Sequence, residues 1–201
     1  HEFDYGELIL KDRFIQSNFS WICANVNASN SDITQPNAYK TIEINGLKIT
    51  FLGLVETNGK ENDIIPSTHP WRVKNLTFEK FENSVTKYAT LKDNQQADVL
   101  VALTHLGESS DFKLANNYPY FDLIIGGHSH TLTNQMVNNI PIFQAGSNLN
   151  NLGKIKLTLK NKQVESINYE LINLNNYANF DTAIKDKIDY YNANSNIDEV
   201  I

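Results

Sequence analysis

Residues 121–130 combine an apolar run, two glycines and two histidines, and this segment constrains the fold more than any other. Apolar runs of this length are typical of buried strands, and Gly126 and Gly127 allow the backbone to turn sharply. His128 and His130 would then lie at the carboxyl end of a strand, where open α/β sheets place their sites. Because imidazole is the commonest protein ligand of metals, the pair indicates a metal site. The alternative is a hairpin turn that carries two solvated histidines.

A second segment repeats this pattern. Residues 98–103 form another apolar run, and His105 and Gly107 follow it closely. Three of the five histidines therefore follow predicted strands, whereas His69 lies in a segment typical of a loop. Two adjacent strands of one sheet would bring His105, His128 and His130 into one coordination sphere.

The remaining pattern is a continuous alternation of helices and strands without internal repeats. Asn45 and Gly46 predict a hairpin turn between strands 39–44 and 47–56. We also predict helices over 6–16, 78–94 and 112–116, and strands over 21–26, 142–145, 154–159 and 164–171. Helix-linked strands next to antiparallel hairpins suggest two packed sheets with helices outside them. The irregular segment 58–74 is long enough to be functional or to act as a lid.

Composition excludes some classes of function. The net charge of −6 argues against binding to a nucleic-acid polymer, which requires a basic face. It does not argue against a nucleotide substrate, because metal cations can supply local positive charge. No apolar run approaches the roughly 20 residues needed to span a membrane. The single cysteine, Cys23, lies in an apolar segment without a nearby base, which predicts a core thiol and not a nucleophile.

The first residues of the chain connect these observations to a known family. His1, Glu2, Phe3 and Asp4 open the sequence, and the histidine segments 104–107 and 126–130 follow in the same order and at about the same spacing as in the metallophosphoesterases. The chain resembles the 5′-nucleotidase branch of that family from residue 1 to about 174. Residues 144–147 and 152–155 also resemble it. The resemblance implies an α/β fold of the four-layer α/β/β/α sandwich type and a metal-dependent phosphoester hydrolase that acts on nucleotides.

The resemblance also implies roles for individual residues and a pair of divalent metal ions. His105 and His128 resemble the ligands of one metal, and His130 resembles a ligand of the other; Zn, Mn, Fe, Co and Ca are not distinguished. His1 resembles the histidine that stabilises the phosphoryl transition state, and Asp4 the carboxylate that orients it. Two metals polarise a phosphoryl group and activate a water, and an imidazole stabilises developing charge or protonates the leaving oxygen. Asp4 has an alternative interpretation as the N-cap of the predicted helix.

The sequence also departs from the family pattern. The family's Asp-x-His segment, its bridging Asp and the Asn before the first histidine do not occur in it. We therefore expect a fold that lacks its N-terminal part and a chain that is a weakly active or inactive piece of a larger enzyme. Residues 1–174 would form the C-terminal portion of the catalytic domain. Residues 175–201, with a polar helix over 181–194, would lead to a nucleotide-binding domain outside this chain.

Two alternative functions and two further expectations follow from the sequence. The protein could be a metallophosphoesterase for another phosphorylated substrate, or a non-catalytic metal-binding or structural module with the same fold. Without its first strands, the sheet would expose apolar surface and self-associate. By resemblance, the protein would be periplasmic, on the cell surface or secreted.

Overall fold

The computed structural model describes residues 1–59, 64–175 and 180–194. The helices are α1 (Glu7–Gln16), α2 (Phe81–Val85), α3 (Leu91–Gln95), α4 (Glu108–Asn117) and α5 (Thr182–Asn194), with short 3-10 turns at Pro70–Arg72 and Thr86–Tyr88. The first five strands are β1 (Val26–Asn27), β2 (Tyr39–Ile44), β3 (Leu47–Val55), β4 (Thr77–Phe78) and β5 (Val99–His105). The last five are β6 (Leu123–Ile125), β7 (Leu132–Val137), β8 (Ile140–Ala145), β9 (Asn151–Lys160) and β10 (Gln163–Asn173).

A six-stranded mixed sheet in the order β2-β3-β5-β6-β8-β7 forms the centre of the molecule. Strands β3, β5, β6 and β8 run parallel, and β2 and β7 pair antiparallel at the two edges. The parallel strands are mostly buried, as their continuous apolar sequences predict. Since β5 and β6 are neighbours, the segments that follow them emerge side by side, as the histidine spacing predicts.

Apolar packing on both faces of this sheet creates three layers. One face packs against α2, α3 and α4 through a core that includes Leu100, Leu114 and Ile124. The other face packs against the β9–β10 hairpin, where Phe143 stacks on Tyr169 at 4.5 Å between ring centroids. The predicted α/β class and the packing of two sheets are confirmed. Among the described residues, the outer face of the hairpin is largely polar, and α5 has no buried side chain.

The hairpin turn at residues 45 and 46 is confirmed. Asn45 and Gly46 both have positive φ, 52° and 76°, as a type I′ turn requires. A second turn of this kind joins β7 to β8 through Asn138 and Asn139, with φ of 50° and 63°. Strand β7 was not predicted, because five of its six side chains are at least partly exposed and its polar sequence lacks an apolar alternation.

The prediction of a strand over 21–26 is wrong. Regular pairing is limited to an isolated bridge at Ile22 and to the short strand β1. The buried side chain of Asn25 replaces ladder bonds here: its amide donates to the carbonyl oxygens of Val55 at 2.8 Å and Glu79 at 3.0 Å. Side-chain bonds of this kind compete with regular backbone pairing.

The helix predicted over 78–94 is interrupted. Helices α2 and α3 are separated by the 3-10 turn Thr86–Tyr88. The Thr86 hydroxyl donates to the carbonyl oxygen of Asn83 at 2.8 Å, and β-branched residues such as Val85 and Thr86 are poor helix formers. The two short helices still cover the sheet, because Phe81, Val85 and Leu91 are buried in the main core.

Candidate active site

The carboxyl ends of β5 and β6 bring two of the predicted histidines together. His105 is the last residue of β5, and His128 lies in the loop after β6. The Gly107 N–H donates to the Gly127 carbonyl at 3.1 Å, which joins the two connecting loops. The imidazole rings of His105 and His128 consequently lie 5.1 Å apart between centroids, at 68° to one another.

The first residues of the chain add a third imidazole. The ring of His1 lies 5.7 Å from that of His105, edge to face. Its Nδ1 is 2.7 Å from Oδ2 of Asp4, and the Asp4 N–H donates to the His1 carbonyl at 3.1 Å. The alternative role of Asp4 as a helix N-cap is wrong, because Gly6 occupies that position without a side-chain cap. The carboxylate instead contacts Nδ1 of the imidazole.

These three histidines line one small pocket. Asp4, Glu56 and Ser67 share its wall with His1, His105 and His128. Glu56 was not singled out from the sequence. It is buried, directly follows β3 at the same edge of the sheet, and accepts hydrogen bonds from the backbone N–H groups of Asn58 and Ser67. A polar residue at the end of an apolar strand is the same signal that marked His105, and it could have identified Glu56.

His130 is not brought into this pocket. Its side chain is exposed, and its ring is not among the groups that line the cavity. His128 and His130 both have positive φ, 79° and 60°, which non-glycine residues seldom adopt. Strained backbone of this kind concentrates at functional sites. The loop therefore separates the two imidazoles: that of His128 lines the pocket, and that of His130 is exposed.

The pKa of His105 is lowered, and burial is the main cause. The ring of His128 lowers it further, whereas Glu2 and Glu56 partly oppose this. Burial disfavours the charged imidazolium, so His105 is neutral at neutral pH. Neutral imidazole is the form that binds a metal or accepts a proton.

Asp111 contacts the segments that carry His105 and His128. This buried residue of α4 accepts a hydrogen bond from the Thr104 hydroxyl at 2.7 Å, next to His105. A Cβ on Gly126 would lie 2.3 Å from the other carboxylate oxygen, and a Cβ on Gly127 would lie 3.2 Å from Nδ1 of His105. A side chain at Gly126 would therefore force a shift of Asp111, and one at Gly127 would crowd His105, whereas neither glycine has a positive φ. Burial raises the pKa of Asp111 to about 7.

A hydrogen-bonded network holds the loop that carries His128. The Glu108 N–H donates to the Ser129 hydroxyl at 3.1 Å, and the Thr133 hydroxyl donates to the Glu108 carboxylate at 2.6 Å. The buried amide of Gln144 lies 3.1 Å from the Ser129 hydroxyl. Satisfied buried networks rigidify the segments they join, so the position of this loop is set by α4, β7 and β8 together.

The donor set is partly suited to divalent metal ions. His105 and His128 present facing imidazoles, and neutral imidazole nitrogen suits several transition metals. Among residues 1–59, 64–175 and 180–194, no group of three His, Cys, Asp or Glu side chains is arranged to hold a metal ion. The described residues do not assemble a two-metal site by themselves.

Cys23 lies outside this site. It packs against the apolar cluster around Leu10 and Val26 and lines an apolar pocket of about 210 Å³. Burial raises the pKa of its thiol to about 12, so the reactive thiolate is suppressed. The prediction of a core thiol is confirmed.

Known proteins resemble this chain in sequence. No family model matches the chain. The trifunctional nucleotide phosphoesterase protein YfkN of Bacillus subtilis is 26% identical over 95% of this chain and 16% of its own length. A 5′-nucleotidase of Diplobatis ommata is 27% identical over 82% of this chain and 32% of its own length. The chain thus spans less than a third of these two relatives.

Solved structures show the same architecture. The 5′-nucleotidase precursor from Thermus thermophilus superposes with a TM-score of 0.80 at 23% identity, over 96% of this chain and 41% of the other. The calcineurin-like phosphoesterase YfkN from Bacillus subtilis superposes with a TM-score of 0.75 at 22% identity, over 96% of this chain and 68% of the other.

The chain has a fold of the metallophosphoesterase type. The sequence relatives narrow the resemblance further. The chain is similar to calcineurin-like metallophosphoesterases of the 5′-nucleotidase branch. In the part of the chain that the structure describes, no helix has the length and apolar character needed to cross a membrane.

Proposed function

We propose that this chain forms part of the active site of a metal-dependent hydrolase that cleaves phosphoesters of nucleotides. The observation that carries the proposal is the meeting of His1, His105 and His128 in one pocket, although they are far apart in the sequence. The names of the relatives, a nucleotide phosphoesterase and a 5′-nucleotidase, support the substrate class.

Each residue of the pocket has a proposed role. His105 and His128 would hold one divalent ion, and His130 remains a proposed ligand of a second. When bound, such ions polarise phosphoryl oxygens and lower the pKa of a water. His1, oriented by Asp4 through the 2.7 Å contact, donates a hydrogen bond to a phosphoryl oxygen or a proton to the leaving oxygen.

The number of metal-binding side chains in the described residues affects the activity expected of the isolated chain. Because the described residues hold no three-ligand group, we infer that the complete two-metal site uses donors from beyond them. The isolated chain should then be a weak or inactive hydrolase. We also propose that residues 1–174 belong to the catalytic domain and that 175–201 link it to a nucleotide-binding domain. Residues 176–179 and 195–201 lie outside the described residues, and the helix α5 between them is fully exposed.

Location and self-association are further parts of this proposal. Relatives include a snake venom 5′-nucleotidase, which supports export to the periplasm, the cell surface or the exterior. Leu103 of β5 is 42% exposed although its neighbours in the strand are buried. We propose that a second copy covers this apolar surface, and a clean monomer with a cooperative melt in solution would argue against it.

Hydrolysis of AMP with added manganese or zinc tests the function. Asp4→Asn should lower turnover by about tenfold to a hundredfold, because it removes the carboxylate that orients His1. Asp32→Asn is the matched control, since its side chain is exposed on the surface. Equal turnover in both variants would contradict the proposed role of Asp4.

A non-catalytic metal-binding or structural module of the same fold is the second candidate, since the neighbouring imidazoles of His105 and His128 would suffice to bind an ion without catalysis. Bound metal without hydrolysis of AMP or of p-nitrophenyl phosphate would support the module. Hydrolysis of p-nitrophenyl phosphate but not of AMP would indicate a metallophosphoesterase for another substrate.

A further inference from the structure

A second cleft adjoins the histidine pocket, and the proposed reaction does not use it. It has a volume of about 380 Å³ and is lined by Asp4, Gly59, Ser67, Thr68, His69 and Arg72. Asp4 and Ser67 also line the histidine pocket. The two cavities therefore lie side by side and share part of their wall.

The wall of this cleft is anchored to the first residues of the chain. The Thr68 hydroxyl donates to the Phe3 carbonyl at 3.3 Å, and the Ser67 N–H donates to the Glu56 carboxylate. The Arg72 N–H donates to the His69 carbonyl at 2.9 Å, which closes the 3-10 turn. Ser67 and Thr68, in the irregular segment that the sequence predicts to be functional or a lid, are thus anchored beside the proposed active site.

Arg72 places a positive charge in the wall of this cleft. Its guanidinium carbon lies 4.9 Å above the ring of Trp71, and this cation–π contact restricts the side chain. Its buried Nε has no hydrogen-bond partner. Within the described ranges, which omit 60–63, 176–179 and 195–201, no carboxylate forms an ion pair with it. A guanidinium with free donors binds phosphate oxygens in a bidentate manner.

We propose that this cleft is an anion subsite in which Arg72 binds a second phosphate of the substrate. The preferred substrates would then be nucleoside diphosphates or similar phosphoanhydrides, with the terminal phosphate beside His1 and the inner phosphate beside Arg72. Water adds to the terminal phosphorus, the bond to the bridging oxygen breaks, and the nucleoside monophosphate leaves with that oxygen. The inference deepens the proposed function and rests on it for the reaction, although anion binding can be measured independently.

Calorimetric titration of metal-free protein with inorganic pyrophosphate, and separately with orthophosphate, tests the subsite. We expect pyrophosphate to bind more tightly than orthophosphate. Arg72→Met should weaken pyrophosphate binding by about tenfold or more, because it removes a charge-assisted hydrogen-bond donor. Arg13→Met is the matched control, since Arg13 is the only other arginine and its guanidinium bonds Gln16 at an exposed site.

Three further measurements test the folding of the variant, the location of the bound anion and the effect of Arg72 on catalysis. Arg72→Gln, with folding checked by circular dichroism, replaces the first variant if that one does not fold. Quenching of tryptophan fluorescence by pyrophosphate should vanish in Trp71→Phe, which locates the bound anion. If the protein is active, Arg72→Met should lower kcat/KM for ADP about tenfold more than for AMP.

Equal pyrophosphate affinity in wild type, Arg72→Met and Arg72→Gln would overturn the subsite. Equal loss of ADP and AMP turnover would also overturn it. Arg72-dependent binding without hydrolysis of any phosphoester would support the subsite and refute the proposed hydrolase.

Discussion

Replacing Asp111 with asparagine should remove a pH dependence of folding stability that this buried carboxyl group imposes. Burial raises its pKa from 3.8 to about 7 in the folded protein. At pH values between 3.8 and about 7, this carboxyl group is protonated in the folded state and ionised in the unfolded chain. The folded state therefore binds more protons, and the free energy of unfolding falls as the pH rises from about 4 to about 7.

The magnitude follows from the two pKa values. One unit of pKa difference between the folded and unfolded states corresponds to about 1.4 kcal/mol. A rise from 3.8 to about 7 thus amounts to about 4 kcal/mol, which is a large share of the stability of a typical domain. Above pH 7 the carboxyl is ionised in both states, and its contribution no longer changes with pH.

Urea unfolding at several pH values from 4 to 8 measures this effect. Asparagine keeps the acceptor for the Thr104 hydroxyl but does not titrate, so the stability of wild type relative to Asp111→Asn should decline by about 4 kcal/mol across this range. Asp32→Asn, at an exposed site, should leave the wild-type profile unchanged. A difference between wild type and Asp111→Asn that stays constant with pH would refute the reasoning.

Two further perturbations test the site. Gly126→Ala places a Cβ 2.3 Å from the Asp111 carboxylate and should cost about 1–3 kcal/mol in urea unfolding; an equal loss in an Asp111→Ala background would contradict this cause. His128→Ala should lower bound metal and hydrolysis together in the complete enzyme, whereas His1→Ala should retain metal and lower turnover. Elemental mass spectrometry and AMP hydrolysis measure both, and full metal content in His128→Ala would show that His128 is not a ligand.

Local sequence patterns predicted a large part of the fold. The apolar runs before His105 and His128 became adjacent parallel strands, because a run of apolar residues fits a strand that is buried on both faces. The Asn45–Gly46 hairpin followed from residues that tolerate positive φ. Where side-chain hydrogen bonds compete with regular structure, as at Asn25 and Thr86, the same reasoning was wrong.

The supporting residues of the site were harder to foresee. Asp111 is one of several acidic residues in a helical segment, and its identity alone does not indicate burial. Its position against Gly126 and Thr104 depends on how α4 packs on the sheet. Glu56 and Arg72 likewise acquire their positions from the segments that converge on the pocket.

The sequence by itself determined which residues are available for chemistry and at which strand ends they occur, because apolar periodicity and turn residues act over short distances. Only the tertiary structure decided that His1, His105 and His128 share a pocket while His130 does not. That outcome depends on the register of β5 and β6, on the positive φ of two loop residues and on the packing of the chain's first turn. These are long-range contacts, and their geometry is set by the whole core.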